Sequence, residues 1–210
     1  MQRQHIITIS GKPGSGKSST ADQVAELLSY TRFSSGDMVR KVIKQRKMTL
    51  LQFNKRAVDD HKLDHNIDEE LRQLRDSSDI VIDSRLGFYW IPESFKVYLD
   101  LNMDVASARI FSDIQENEKR STENSLSASL ATVAHDVKAR MENERARYQA
   151  LYGVDPYNSS HFDLVINTSR HSPQTVALTV YDHYKKWLQS DTWEKVYSEV
   201  PLGYSHKNQY

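Results

Sequence analysis

Apolar residues along this chain fall into short β-branched runs, separated by longer stretches in which they recur at helical spacing. The runs His5 to Ser10, Thr31 to Ser34, Ile80 to Asp83, Phe95 to Leu101 and Phe162 to Asn167 read as strands, the second of them weakly patterned. Between them, Ala21, Val24, Leu27 and Leu28 lie on one helical face, and Met38, Val39, Val42 and Ile43 form a short amphipathic stripe. A longer helix is marked by Leu126, Leu130, Val133, Val137, Met141, Tyr148 and Tyr152, ending near Gly153 and before Pro156. Strands alternating with helices predict an α/β fold: a parallel sheet covered on both faces, with ligands gathering at the carboxyl ends of the strands. Two stretches stand off from this core. Residues 36–76 are helical in pattern, charged and poor in glycine, whereas 114–125 (IQENEKRSTENS) are polar and predict a mobile loop. Beyond Ser190 no period is discernible, so the division is a main domain over 1–190 and a tail over 191–210.

Composition narrows the classes. The 28 Lys and Arg balance the 28 Asp and Glu, so no basic field points to a nucleic acid polymer as partner. The absence of cysteine excludes a disulfide framework, cysteine-ligated zinc and thiol catalysis. The opening MQRQHIITIS has no apolar signal region, and no run approaches the roughly 18 apolar residues of a membrane span. The expectation is therefore a soluble, cytoplasmic chain with no membrane partner.

The strongest chemical signal sits between the first strand and the first helix. Gly11-Lys12-Pro13-Gly14-Ser15-Gly16-Lys17-Ser18 satisfies the pattern G-x-x-x-x-G-K-S/T at each fixed position, with Ser19 following on the helix. Its glycines let backbone N–H groups crowd around an anion, and the helix N-terminus adds partial positive charge. Lys17 then reaches the β- and γ-phosphates of ATP, and the Ser18 hydroxyl ligates Mg²⁺. A second signal is Ile80-Val81-Ile82-Asp83, an apolar strand ending in an acid that can hold the same Mg²⁺ through water; such a run also ends many ordinary strands. Arg85, two residues on, can clamp a phosphate in bidentate fashion or lie in a surface ion pair.

Further candidates lie later in the chain. Ser34-Ser35-Gly36-Asp37-Met38-Val39-Arg40 straddles a strand end and a helix start, where a serine and an aspartate cap helices, although capping leaves Arg40 unexplained. Arg140 and Arg147 are seven apart and share a helix face with Glu144 in ion-pair reach between them, while Arg145 points elsewhere. Periodicity alone suits a solvated salt-bridge ladder as well as a pair of phosphate-binding arginines. His61 and His65 stand four apart, but with no third ligand they are predicted to face solvent.

With these residues assembled, the chain resembles the cytidylate kinases, in particular the compact archaeal-type branch of that nucleoside monophosphate kinase family. The resemblance runs from about Ile6 to Ala177. Its more specific pieces are SSGDMVR at 34–40, Asp83-x-Arg85-Leu-Gly87, Arg140…Glu144…Arg147-Tyr148 followed by Tyr152-Gly153-Val154-Asp155, and Phe162 to Thr168 with Ser172-Pro173. It implies a three-layer phosphate-loop kinase fold with a five-stranded parallel sheet in the order 2-3-1-4-5, a nucleotide-binding insertion at about 36–76 and a lid at about 112–147. It further implies that Ser35, Asp37 and Arg40 meet the acceptor nucleotide, that Arg85 binds the acceptor phosphate, that Asp83 partners Mg²⁺ and that Arg140 and Arg147 close on the phosphates. Asp68 falls where a helix of the insertion is expected, in a position to contact the cytosine. The chain departs from the family pattern at Ser84, where glycine is usual, and after Arg109, where Ser112-Asp113-Ile114 replaces a basic pair and the nearest bases are Lys119 and Arg120.

The expected activity is phosphoryl transfer from ATP to a nucleoside monophosphate, CMP or dCMP, catalysed by Lys17, Arg85, Arg140 and Arg147 with Mg²⁺. Two alternatives stay open. One is the same fold acting on another nucleotide or a small hydroxyl compound, for which Asp37 or Asp83 serves as base. The other is a nucleotide-binding sensor without turnover. A GTP switch is disfavoured because Asn54-Lys55-Arg56-Ala57 lacks the guanine-reading aspartate.

Overall fold

A computed structural model describes residues 4–47, 62–116 and 129–198. Six strands form one parallel sheet: β1 (Ile6–Gly11), β2 (Thr31–Ser34), β3 (Ile80–Asp83), β4 (Phe95–Asp100), β5 (Leu164–Asn167) and β6 (Val196–Ser198), in the order β2-β3-β1-β4-β5-β6. The helices are α1 (Lys17–Leu28), α2 (Ser35–Gln45), α3 (Lys62–Gln73), α4 (Gly87–Trp90), α5 (Met103–Glu116), α6 (Leu130–Tyr152) and α7 (Pro173–Gln189). None of these described helices is long and apolar enough to cross a membrane.

The central strand β1 is buried along its whole length, which is why its sequence is a near-continuous β-branched run rather than an alternation. One face of the sheet presents Ile7, Ile9, Val97, Leu99 and Ile166 to Val24 of α1 and to Val176, Val180 and Trp187 of α7. The opposite face packs Ile6, Ile80 and Ile82 on Leu71 of α3, and Tyr98 and Val165 on Leu86, Phe88 and Tyr148. Helices α5 and α6 pack together beside this layer, joined by Ile110, Phe111, Ile114, Val133, Val137 and Met141.

Several expectations are corrected. The sheet has six strands rather than five, because the tail supplies β6, where the Val196 amide donates to Asp163 O at 2.9 Å. The polar loop begins later than 114: α5 continues to Glu116, since Ile114 still packs against the α5–α6 cluster. Leu130 lies in the first turn of α6, as its spacing predicts, with its side chain exposed. Strand β5 begins at Leu164, two residues beyond the apolar onset at Phe162. His61, Asn54-Lys55, Lys119, Arg120, Leu126 and most of the tail lie outside the described residues. His65 is exposed, as expected.

Candidate active site

The carboxyl ends of the strands converge on one edge. Parallel register sets Asp83 beside Ile9 of β1 and beside Ser34 of β2, so an acid, a strand-end serine and the start of the phosphate loop come together without any long-range reach. At the close of β1, Gly11 adopts φ +149°, and a Cβ there would stand 2.2 Å from the Leu99 carbonyl oxygen. Only glycine lets β1 turn this tightly against β4.

Within the loop the side chains divide their tasks. Lys12 does not face the anion site: its Nζ pairs with Asp100 at 2.6 Å and donates to Leu101 O at 3.2 Å, fastening the loop to the end of β4. Lys17, at the start of α1, donates to Lys12 O at 2.9 Å, and so reaches back across the loop. Ser18 Oγ donates to Asp83 Oδ2 at 2.6 Å. The Ser15 hydroxyl is buried with no protein partner among the described residues. Ser19, on the same first turn, is exposed.

Ser34, not Ser35, caps α2, accepting from the Asp37 amide at 3.2 Å. Ser35 Oγ instead donates to Asp83 O at 3.4 Å. Asp37 is exposed and paired with Arg40 one turn on, which supplies the reason for Arg40 that capping left out. A residue that the sequence pattern did not single out, Arg32 of β2, ties the neighbourhood together. It meets Asp22 of α1 at 3.1 Å, Asp37 at 3.1 Å and Asp83 at 3.5 Å. Its only sequence signal was a charge inside a weak strand. Burial pushes the Asp37 carboxyl up, but Arg40 and then Arg32 together outweigh it and hold the group below the usual range.

Opposite the loop, α6 contributes a charged cluster around Glu144, which is 5 % exposed. Arg85 Nε meets Glu144 at 2.8 Å and Arg140 Nε meets it at 2.9 Å, while the Tyr157 hydroxyl also donates to it. Burial alone would raise the Glu144 pKa; the two arginines outweigh it and hold the carboxyl well below the usual range. Arg85 also donates to Gly11 O at 2.6 Å, so the α6 cluster is keyed directly to the loop. Arg147 donates to the Tyr148 hydroxyl at 3.2 Å, its guanidinium 4.9 Å from the centre of that ring. Arg145 turns away to Asp155 at 2.9 Å. Tyr157 went unnoticed in sequence because it follows the helix in an irregular segment.

A cavity of about 270 Å³ lies between these groups. Lys17, Ser18 and Asp83 line it from the loop side, Ser35 and Arg40 from α2, and Arg85, Arg140 and Arg147 from the far side. Pro13 and Gly14 also border it, whereas Gly11, Lys12, Ser15, Gly16, Ser19 and Asp37 do not. Burial and the nearby Arg85 hold the Lys17 ammonium well below the ordinary lysine range, with Asp83 opposing. Where the basic pair after Arg109 is missing, Asp113, Ile114 and Asp136 border the cavity instead. Arg109 itself is spent on main-chain carbonyls, donating to Thr168 O at 2.7 Å and to Gly14 O at 3.5 Å.

Residues 6–170 match the model of the cytidylate kinase-like family. The cytidylate kinase of Natronomonas pharaonis is 37 % identical over 190 residues, covering 89 % of this chain and 92 % of that protein. The cytidylate kinase of Halobacterium salinarum is 36 % identical over 180 residues, covering 84 % and 88 %. Among solved structures, shikimate kinase from Bacteroides thetaiotaomicron superposes with a TM-score of 0.58 at 11 % identity, over 88 % of this chain and 98 % of that one. That likeness concerns the fold alone.

Proposed function

The chain belongs to the cytidylate kinase-like family, and on that footing we propose that it transfers the γ-phosphoryl group of ATP to a nucleoside monophosphate, CMP or dCMP. One observation carries this reading: the end of the phosphate loop and four arginines from three other parts of the chain border the same cavity. A triphosphate on the loop and a monophosphate under Arg40 and Arg85 then face one another across it. The Ser15 hydroxyl, buried without a protein partner among the described residues, suits a phosphate oxygen.

An oxygen of the acceptor phosphate attacks the γ-phosphorus while the bond from that phosphorus to the β–γ bridging oxygen breaks; ADP leaves and the nucleoside diphosphate forms. The acceptor is already anionic, so no side chain needs to remove a proton. Catalysis is positioning plus neutralisation of the charge that spreads over the transferred group. Lys17, Arg85, Arg140 and Arg147 supply the positive charge. Glu144 pre-orients two of them, which lowers the cost of fixing long side chains when substrate arrives.

The oxygen donors Ser18 and Asp83 fit Mg²⁺, a hard cation that keeps several of its waters and needs few protein ligands. They would hold it, and it would supply charge neutralisation on the donor phosphates. We assign residues 36–76 to acceptor binding and 112–147 to the lid.

Transfer of radiolabel from γ-labelled ATP to a panel of nucleotides and small alcohols, with products separated by chromatography, tests the reading. Label in CDP and dCDP is expected. A strong preference for AMP or a sugar acid overturns it, and binding of CMP and ATP with no product assigns the chain to the sensor class.

A further inference from the structure

Tyr157 stands in the irregular segment between α6 and β5, and it is buried. Its ring joins an apolar cluster with Val137 and Met141 of α6, against which Ile110 and Phe111 of α5 pack. At the charged end of that cluster the hydroxyl donates to Glu144 Oε2. Further contacts fix the ring. The Tyr157 amide donates to Asp155 Oδ1 at 2.9 Å, and Arg145 grips the other oxygen of Asp155 at 2.9 Å. The guanidinium groups of Arg85 and Arg145 each lie 5.6 Å from the ring centre, within range of attraction to its π face. Burial, against the opposing Arg85 charge and with the Glu144 charge adding to it, holds the hydroxyl well above the ordinary tyrosine range. It therefore keeps its proton and serves as a donor.

That hydroxyl completes a set of three donors around one carboxylate. Oε2 accepts from Arg85 Nε at 2.8 Å and from Tyr157, while Oε1 accepts from Arg140 Nε at 2.9 Å. Both arginines thus meet Glu144 through Nε, and Arg85 spends Nη1 on Gly11 O. A guanidinium held at Nε keeps terminal nitrogens for a second anion, and its plane follows the orientation of the carboxylate. The last torsion of a glutamate is broad, so a carboxylate held only by two long side chains retains rotational freedom. A third donor on a rigid, packed ring removes that freedom. We propose that Tyr157 is a positioning residue for phosphoryl transfer: through Glu144 it aims Arg85 and Arg140, and through its ring it keys that aim to the packing of α5 on α6. Tyr157 does not itself border the cavity, so it acts only through the groups that do. This role rests on the transfer reading given above and adds what holds its charges in place.

Tyr157→Phe keeps the ring and its packing and removes only the hydroxyl. It is expected to lower kcat about tenfold, the worth of one hydrogen bond to a charged group, with the KM for ATP and for CMP held within about twofold. The melting temperature should fall by less than about 4 °C. Combined with Glu144→Gln, the substitution should lower kcat no further than Glu144→Gln alone, because it acts through that carboxylate. A second readout is independent of turnover. In nitrogen-15 spectra of the arginine side chains, Arg85 and Arg140, assigned by loss of each signal in Arg85→Lys and Arg140→Lys, should show slowly exchanging Nε–H groups. Both should exchange faster in Tyr157→Phe. A kcat within about twofold of wild type, additive losses in the double variant, or unchanged exchange overturns the proposal. So does a wild-type spectrum in which no arginine Nε–H exchanges slowly, a result that needs no variant to fold. If the wild type transfers no phosphoryl group yet exchange quickens in Tyr157→Phe, Tyr157 keeps its hold on the arginines and the transfer reading falls.

Discussion

Glu144, at 5 % exposure, meets Arg85, Arg140 and Tyr157 with one carboxylate, so removing its charge leaves two guanidinium groups facing each other in a partly buried site. Breaking a buried pair by removing one partner costs about 3–5 kcal/mol. Glu144→Gln is therefore expected to lower the melting temperature by at least about 6 °C and to depress turnover, read by calorimetry and by kcat. The pH dependence has a definite sign. A carboxyl held below its ordinary value contributes stability above the unfolded-state pKa of about 4.3, and that contribution drains away as pH falls toward the folded value. Wild-type protein should lose more melting temperature between pH 5 and pH 3 than the glutamine variant does. Lys17 stands differently, partly buried, with its Nζ donating to the Lys12 carbonyl across the loop. Lys17→Ala should reduce kcat at least about a hundredfold while the circular dichroism spectrum is retained; near-normal turnover would remove Lys17 from the mechanism. Of these residues, spacing showed that Arg140 and Glu144 share a face. It did not show that Arg85, 59 positions earlier, completes the cluster.

Two glycines at element ends separate backbone strain from steric exclusion. Gly153 ends α6 at φ +68°, its amide bonded to Gln149 O at 3.0 Å, and a Cβ there would meet nothing within 4 Å. Gly153→Ala is thus expected to cost about 1 kcal/mol, a fall of roughly 2–4 °C in melting temperature, with kcat unchanged. Gly11→Ala drives a Cβ to 2.2 Å from main chain at Leu99, which has nowhere to move in the middle of the sheet. It should abolish ATP binding in a titration and sharply lower the yield of folded protein. The glycine after α6 and the glycines of the loop were readable because helix ends and phosphate turns each demand that residue at a set offset. Strands β2 and β3 were readable to the residue, Thr31–Ser34 and Ile80–Asp83. The end of α5 was not, because Ile114 is kept helical by its contacts with α6, and polar composition after it carries no record of that neighbour. Leu130 shows the converse: it has the helical spacing, yet its side chain stands exposed.

The sheet as a whole extends further than the motifs do. Trp193 packs edge-on against Phe95 with ring centres 5.9 Å apart and donates from Nε1 to Asp163 O at 3.2 Å, while Val196 joins the main core. The segment thus covers an edge of β5 that would otherwise be open. Deleting 191–210 is expected to destabilise the protein by about 1.5–3 kcal/mol, from loss of one partly buried aromatic and one partly buried aliphatic side chain. KM values for both nucleotides should hold, since β6 lies at the far end of the sheet from the cavity border. A truncated chain with wild-type melting behaviour would show that β6 adds nothing to the fold.

The order of strands and helices, the phosphate loop and its lysine, the strand-end acid and the facing arginines of α6 were determined by sequence alone. Each is a local pattern: a period, an offset or a residue type required by one backbone shape. Tertiary structure alone decided that Arg32 bridges three carboxylates, that Lys12 is turned to Asp100 and away from the anion site, that Glu144 gathers Arg85 and Tyr157, and that Asp68 is buried between Trp90 and Tyr152. Those outcomes depend on which elements meet across the sheet. A side chain's partner, and hence its charge state and role, is set by neighbours distant in the chain, and spacing along one element holds no information about them.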